Sequence, residues 1–366
     1  MNLSSKLPFI VKAGFTFICA LSLLLLLYIG KSILVPLVYA SIIAILLNPF
    51  VTLLTSFKIN RIIAIFIALI FTIIIIASII YLISTQLSIF VDTYPKLRKI
   101  VSERGIQLIS WVSDNFNVKT DKIYAWIKAN QDGMVNNLGS TIESTIGTIS
   151  NFVLPTILLP VYIAMILYYK PLLSEFIRQI FHTDHHEMVF DIITKSKKVI
   201  QSYLIGLMFE MVIIATLNSV GLICLGIDYA IILGIIGAFL NVIPLIGGVL
   251  AIIPPVIIAF VTKESASASL FVVILYIVIQ FIDNHYIIPR IVASKVKINA
   301  LVSIVVVLIG GALWGIPGMF LSIPITAILK VIFDNIESLK PYGFLLGNVV
   351  PIKPRRLPFI PKKKVK

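Results

Sequence analysis

The chain has 366 residues, of which 59% are hydrophobic and 13% charged, with a mean hydropathy of +1.07 and a formal charge of +14. A water-soluble globule of this composition could not cover its apolar surface, so that class is excluded. Its long uncharged runs predict an all-α polytopic membrane protein, because a helix satisfies its own backbone hydrogen bonds in lipid. We count about eight transmembrane elements.

The N-terminal part, residues 1–91, contains three uncharged runs, at residues 13–30, 32–57 and 62–91. Each is long enough to form one membrane-spanning helix. The first run follows Lys6 and Lys12 as in a signal peptide, but it ends in Tyr-Ile-Gly-Lys rather than in a cleavage site of small residues. We therefore predict an uncleaved first span.

Residues 92–143 form the first long polar segment, with seven basic and six acidic side chains among apolar residues at near-helical spacing. This pattern predicts a small amphipathic helical segment outside the membrane. The uncharged run at residues 144–169 predicts transmembrane helix 4. Residues 170–198 then predict a cytoplasmic loop. The sequence HTDHHE at residues 182–187 invites a metal hypothesis, but with no second ligand cluster in the chain we expect a polar loop and no metal site.

Residues 199–338 form the predicted C-terminal transmembrane core, whose first run, 199–227, is interrupted by one charge, Glu210. A lone carboxylate at that depth faces a water-filled cavity, pairs with a cation from another helix, or holds a proton. It is a candidate for proton or cation coupling, or else a partly hydrated structural group. After the run at 265–282 come Asp283, Asn284 and His285, then Pro289. This group either ligates substrate or ends a helix.

Two uncharged runs in this core have lengths that fit neither one nor two spans. Residues 229–262 and 298–329 contain 34 and 32 residues. As straight helices they would be roughly 50 Å long, against a hydrocarbon core of about 30 Å. We predict two hairpins of short helices, broken where Gly and Pro disfavour a helix. Paired broken helices of this kind indicate a transporter's binding site.

The two runs share a sequence, LIGGVLAIIPP at residues 245–255 and LIGGALWGIPG at residues 308–318, identical at seven of eleven positions. Coincidence is an alternative in so apolar a chain, but the hairpin prediction rests on run length. We expect the Gly and Pro positions of both runs to open the helix backbone near the membrane midplane, where free carbonyl and amide groups bind substrate. These positions are Pro244, Gly247, Gly248, Gly310, Gly311, Pro317 and Gly318.

The basic residues predict the orientation, because Lys and Arg are enriched in cytoplasmic loops. With the N-terminus in the cytoplasm, the outward ends receive little beyond Lys31 and Lys263. Both termini are then cytoplasmic, and the two hairpins enter from opposite sides as an inverted pair. From Lys340 onward there are eight basic residues and no acid. This Pro-rich tail, residues 339–366, would meet anionic lipid headgroups, and it lacks the aromatic platform or recognition helix that nucleic-acid binding requires.

Four stretches resemble the autoinducer-2 exporter (AI-2E) family of bacterial inner-membrane transporters, in the family's order. They are KSILVPLVYASIIAILLNPFV from Lys31, QSYLIG from Gln201, NVIPLIGGVLAIIPPVIIA from Asn241, and the long stretch from Gln280 to Lys330. The resemblance implies about eight helices, cytoplasmic termini and an oligomer such as a pentamer. Family members are associated with autoinducer-2 export or sodium/proton exchange. Where members commonly have Glu-Gly or Glu-Asn before the Pro, this chain has Asp283 and Asn284, which leaves the coupling ion open.

Together these features predict an inner-membrane secondary transporter that exports or exchanges a small polar solute or ion by alternating access. Gln280, Asp283 and Asn284 would supply polar contacts, Asn241 and Pro289 would lie along the pathway, and Glu210 would carry the coupling charge. A sodium/proton antiporter and a passive oligomeric channel are the alternatives. The chain lacks an ATP-binding loop and the common catalytic motifs, so we expect no enzyme activity and no cofactor.

Overall fold

The structure is a computed structural model that describes residues 8–78, 81, 85, 158–244, 246–263 and 266–348. The predicted amphipathic segment at residues 92–143, the first part of the predicted fourth span and most of the basic tail lie outside the described residues.

Eleven helices of at least seven residues organise this part of the chain. They are α1 (Phe9–Ile29), α2 (Lys31–Ser56), α3 (Arg61–Ser78), α4 (Leu158–Tyr168), α5 (Lys170–Ile180), α6 (His186–Cys224), α7 (Ala230–Asn241), α8 (Gly247–Thr262), α9 (Ala266–Ile282), α10 (Ala300–Asn335) and α11 (Lys340–Leu346). A π-helical segment, Asp283–Ala293, continues α9 without a break.

The helices confirm an all-α polytopic membrane protein. Five segments are long and apolar enough to cross a membrane: α2, α3, α6 with the turn before it, α9 with its π-helical extension, and α10. Shorter apolar helices lie in α1, α4, α7 and α8. With α7 and α8 counted as one hairpin, each of the eight predicted membrane elements corresponds to a helix or a helical hairpin.

Helices α7 and α8 form the first hairpin, as the run length predicts. The chain leaves the helix at Val242, turns through Pro244 and starts α8 at Gly247. A Cβ atom at Gly247 would overlap the Leu240 carbonyl and would lie 2.8 Å from the Cα atom of Asn241. Glycine is therefore required here for the close approach of two backbone segments, and the open backbone is the turn that precedes it.

The second hairpin is formed by α10 alone. Gly315 has φ 66° and ψ −148°, a conformation that is essentially restricted to glycine. On its two sides, Gly310 and Gly318 are in direct contact, and a Cβ atom at Gly310 would lie 2.9 Å from the Gly318 carbonyl carbon. In a straight helix these residues would be about 12 Å apart along the axis, so the helix folds back on itself.

The sequence predicts that the helix backbone opens at Gly310, Gly311, Pro317 and Gly318. The break lies at Gly315 instead, so the predicted positions are wrong. Among these residues the backbone stays helical, and the only non-helical residue within α10 is Gly315. The glycines instead let the two arms of the hairpin pack at short distance, because they have no side chain to separate them.

The two hairpins enter the bundle from opposite ends of α6. Near the C-terminal end of α6, the Ser219 hydroxyl donates to the Ile231 carbonyl of α7 at 3.1 Å. Near its N-terminal end, Lys195 Nζ donates to Asn335 Oδ1, at the base of the α10 hairpin, at 3.0 Å. Helix α6 thus separates the bases of the hairpins by most of its length, as an inverted pair requires.

Three boundaries differ from the sequence prediction. The predicted loop at residues 170–198 consists mostly of α5 and the first turns of α6. Asp283 does not end a helix, because the helical path continues to Ala293 with the wider π-type hydrogen bonding. The start of the predicted tail is folded: α11 lies against the base of α10, and the Asn299 amide donates to the carbonyls of Leu345 and Gly347 at 2.8 and 3.1 Å.

Candidate substrate and ion pathway

Glu210 lies on α6 between the two stretches of that helix that pack against the hairpins. On one side Tyr203 joins an apolar cluster with Leu321 of α10, and on the other Ile214 packs with Ala238 of α7. Glu210 itself is 5% exposed. Its carboxylate is therefore enclosed by protein at the point where both hairpins approach the same helix.

Asp283 lies across from Glu210 at the start of the π-helical segment and is fully buried. Asn241, the last residue of α7, donates its Nδ2 hydrogen to Asp283 Oδ2 at 2.8 Å. The π-helical segment that begins at Asp283 packs against α6, the helix that carries Glu210. Within the described part of the chain, no Lys, Arg or His forms an ion pair with either carboxylate. The tip of the first hairpin is thus bonded to one of two buried acids that have no basic partner among the described residues.

Gln280 extends this polar group by one helical turn of α9. Its side-chain amide contacts Gly248 in the first turn of α8, and a Cβ atom at Gly248 would overlap Gln280 Oε1. The predicted site residues Glu210, Asn241, Gly248, Gln280 and Asp283 therefore come together, and Pro244 and Gly247 form the turn beside them.

Sequence reasoning missed two further polar residues of this cluster, Asn218 on α6 and Tyr276 on α9. Both face Gly237, where an added Cβ atom would lie 3.0 Å from Asn218 Nδ2 and 3.1 Å from the Tyr276 hydroxyl. In the described structure Asn218 Oδ1, the Tyr276 hydroxyl and Asp283 Oδ1 are buried without a hydrogen-bond partner. Their spacing was the available signal, because Asn218 follows Glu210 by about two turns and Tyr276 precedes Gln280 by about one.

The other predicted site residues lie elsewhere. Gly310, Gly311, Pro317 and Gly318 belong to the second hairpin, whose tip is held against the first two helices: Tyr39 donates to the Pro317 carbonyl at 3.2 Å. Asn284 is exposed, whereas its neighbour Asp283 is buried. Pro289 is also exposed and lines a separate cavity of about 530 Å³ together with Lys297 and Lys330.

The chemistry of the cluster is that of oxygen ligands and amide donors. Two carboxylates, three side-chain amides and one phenol can hold a proton, a small cation or the polar groups of a small solute. The described residues contain no group of three or more His, Cys, Asp or Glu side chains placed to hold a metal ion. The cluster is a candidate for the reversible binding of a proton, a small cation or a small polar solute.

Comparison with known proteins agrees with this architecture. AI-2 transport protein TqsA of Escherichia coli K12 is 24% identical over 351 residues, which cover 93% of this chain and 98% of TqsA. YueF of Bacillus subtilis 168 is 25% identical over 64% of this chain and 63% of its own length. YrrI of the same organism is 35% identical over 35% of this chain, and this match spans 36% of YrrI. The profile of the AI-2E family transporters matches residues 17–338, and the chain therefore belongs to this family.

Proposed function

We propose that the protein is a secondary transporter of the bacterial inner membrane that moves a small polar solute or ion by alternating access. The observation that carries this proposal is the pair Glu210 and Asp283, two buried carboxylates without a basic partner among the described residues, enclosed by the tip of a broken-helix hairpin. Charged groups inside a membrane are costly, and they are retained where they bind or couple transported species.

In this proposal the two carboxylates bind the coupling cation, and Asn241 and Gln280 orient them. The helix break that begins at Val242 leaves backbone groups near the same acids, as in transporters whose discontinuous helices form the binding site. Both hairpins pack on α6 on either side of Glu210, so a change in the occupancy of Glu210 would bias the positions of both.

A sodium/proton antiporter is the second candidate, and the proximity of the two acids favours it. Two interacting carboxylates in a low-dielectric site repel each other when both are charged. A proton or a sodium ion relieves that repulsion, so the two cations compete for the same place. In solute export the coupling cation drives the movement of a solute, whereas in cation exchange a proton is exchanged for a sodium ion.

The test is transport in proteoliposomes under imposed proton or sodium gradients, with the wild type, Glu210→Gln and Asp283→Asn. We expect saturable flux coupled to a gradient in the wild type, and loss of the coupling in both variants. Asp228→Asn is the matched control, because Asp228 is an exposed acid in the connection between α6 and α7. Non-saturating conductance would identify a passive channel, and unchanged coupling in both variants would contradict the role of the acids.

The orientation belongs to the same proposal. We place both termini in the cytoplasm, the α7–α8 hairpin open to the outside and the α10 hairpin open to the inside. The distribution of basic residues supports this placement, as does the entry of the two hairpins from opposite ends of α6. Assembly into a homo-oligomer and contact of the basic tail with anionic lipid are further parts of the proposal.

A further inference from the structure

A pocket whose charged lining residues are both cations lies where α2 ends and α5 begins, and it shares no lining residue with the carboxylate cluster. It has a volume of about 540 Å³ and is lined by polar residues from three elements: Asn48, Thr52 and Thr55 of α2, Arg61 of α3, and Lys170 and Ser174 of α5. We call it the α2–α5 pocket. No carboxylate lines this pocket in the part of the chain that the structure describes.

The two cations of the pocket are held in place by hydrogen bonds that leave donors free. Arg61 Nη2 donates to the Leu167 carbonyl at the end of α4, at 2.8 Å. Lys170 Nζ donates to Asn48 Oδ1 at 2.9 Å. A guanidinium has five N–H donors and an ammonium has three, so most of their donors remain available to a ligand. The nearest acid on α5, Glu175, pairs with Arg178 along the helix.

The charges in and around the pocket are unbalanced. Burial lowers the pKa of Lys170, and the positive charges of Lys197 on α6 and Arg61 lower it further. An anion placed between these side chains would reduce their mutual repulsion. Arg and Lys together with hydroxyl groups are the usual partners of a phosphate.

The surroundings of the pocket place it at a membrane surface. Helix α5 has an apolar stripe, Leu172, Leu173, Phe176 and Ile180, in which every side chain is at least 47% exposed. Most of the other residues of the helix are polar, Ile177 and Pro171 being the exceptions, and this pattern is typical of helices that lie in the lipid headgroup region. Tyr168 and Tyr169 end the preceding apolar helix with their rings in edge-to-face contact at 5.0 Å, and tyrosine is enriched at this depth.

We propose that the α2–α5 pocket binds a phosphate group, and that its source is the headgroup of an anionic phospholipid. The apolar face of α5 contacts the acyl chains of the bilayer, while Arg61 and Lys170 at the same depth bind the phosphate. Thr52, Thr55 and Ser174 supply neutral hydrogen bonds. The site is independent of the transported species, because it lies at the end of the helices and does not include Glu210 or Asp283.

The test measures binding of phosphatidylglycerol to the full-length protein in a neutral detergent by native mass spectrometry. Each cation near an anionic lipid contributes about a fivefold change in affinity. We expect Arg61→Gln/Lys170→Gln to weaken binding by about 25-fold. The control, Lys198→Gln/Lys295→Gln, removes two exposed lysines and should change the affinity less than about twofold. Equal losses in the two double variants would overturn the proposal, because the lipid would then respond to general surface charge.

Two further measurements cover a double variant that does not fold and a soluble phosphate as the ligand. If the double variant does not fold, Lys170→Gln alone retains the hydrogen bond of Arg61 to α4 and should weaken binding about fivefold. Inorganic phosphate at constant ionic strength distinguishes the two sources of the ligand. We expect phosphatidylglycerol to bind in its presence. Displacement of the lipid by millimolar phosphate would identify a soluble phosphate as the ligand, and absence of binding by both would overturn the site.

Discussion

Asn241 and Asp283 are joined by a hydrogen bond of 2.8 Å that connects the tip of the first hairpin to the start of the π-helical segment. Asp283 is fully buried, and its second oxygen has no partner among the described residues. Asn241 is therefore the one observed ligand of this carboxylate, and it makes the position of the hairpin tip depend on the state of Asp283.

The first prediction concerns this bond. Asn241→Ala should lower the free energy of unfolding by about 1–3 kcal/mol, because it leaves a buried carboxylate without its donor, and it should reduce coupled transport. Asn284→Ala is the control: its side chain is exposed one residue from Asp283, and we expect nearly unchanged stability and flux. Thermal unfolding in detergent and proteoliposome flux measure the two effects. Equal behaviour of the two variants would remove Asn241 from the site.

Gly247 and Gly248 should differ in what they tolerate. A methyl group at Gly247 meets backbone atoms of Leu240 and Asn241, so Gly247→Ala should disturb the turn and reduce the yield of folded protein. At Gly248 it meets the end of the Gln280 side chain, which can move. Gly248→Ala should therefore fold normally and raise the KM for the transported species. The prediction fails if Gly247→Ala folds and transports like the wild type.

The α10 hairpin allows steric and conformational effects to be separated. Gly310→Ala introduces an overlap with Gly318 and should cost about 1–3 kcal/mol. Gly315→Ala has free space around it but a left-handed φ, and should cost about 1–3 kcal/mol through backbone strain. Gly14→Ala in α1 has neither problem and should be neutral or slightly stabilising. Thermal unfolding of the three variants ranks them, and a neutral Gly315→Ala would contradict the turn at that residue.

The orientation predicts the accessibility of single cysteines. In a protein with Cys19 and Cys224 replaced by Ser, cysteines at Lys198 and Lys263 should react with a membrane-impermeant maleimide from opposite sides. Both positions are exposed. Labelling of intact cells should modify only the cysteine at position 263. Modification of both from the outside would disprove the proposed orientation.

The α2–α5 pocket should show a pH dependence that follows from Lys170. Because its pKa is lowered from the ordinary value of 10.5, the cost of holding its charge is present at neutral pH and disappears as the pH rises through the lowered pKa. Binding of phosphatidylglycerol should therefore weaken at alkaline pH. The weakening should begin at a lower pH than it would for a lysine with the ordinary pKa of 10.5. Arg61 and Lys197 face the same ammonium. Lys170→Gln should flatten this part of the profile, and an unchanged profile would exclude Lys170 from binding.

The hairpins illustrate what the sequence could predict. Run length against bilayer thickness was sufficient to predict two folded-back segments, since lipid excludes an unpaired backbone. The exact turn in α10 was not predictable, because Gly310, Gly311, Gly315 and Gly318 are all able to adopt unusual dihedrals. The contact between the two arms of the hairpin determines that the turn lies at Gly315.

The candidate site was predictable in part for a related reason. Glu210 and Asp283 stood out because charges are rare in apolar runs. Asn218 and Tyr276 did not, since uncharged polar residues occur in such helices for several reasons and only their convergence on Gly237 distinguishes them. Asn284 is exposed although it follows the buried Asp283, because adjacent residues on a helix point in different directions, and its place in the pathway stays a prediction.

The tip of the α10 hairpin has a consequence for how the protein is assembled. Trp314 Nε1 donates to the carbonyl of Leu27 at 2.9 Å, and the two residues are 287 positions apart. Leu27 lies in the last turn of α1, where backbone carbonyls have no partner within the helix. During synthesis the Leu27 carbonyl has no Trp314 donor until most of the chain has been made. The first helices therefore enter the membrane before the last hairpin supplies this donor, and a chain that stops before Trp314 leaves the Leu27 carbonyl without it.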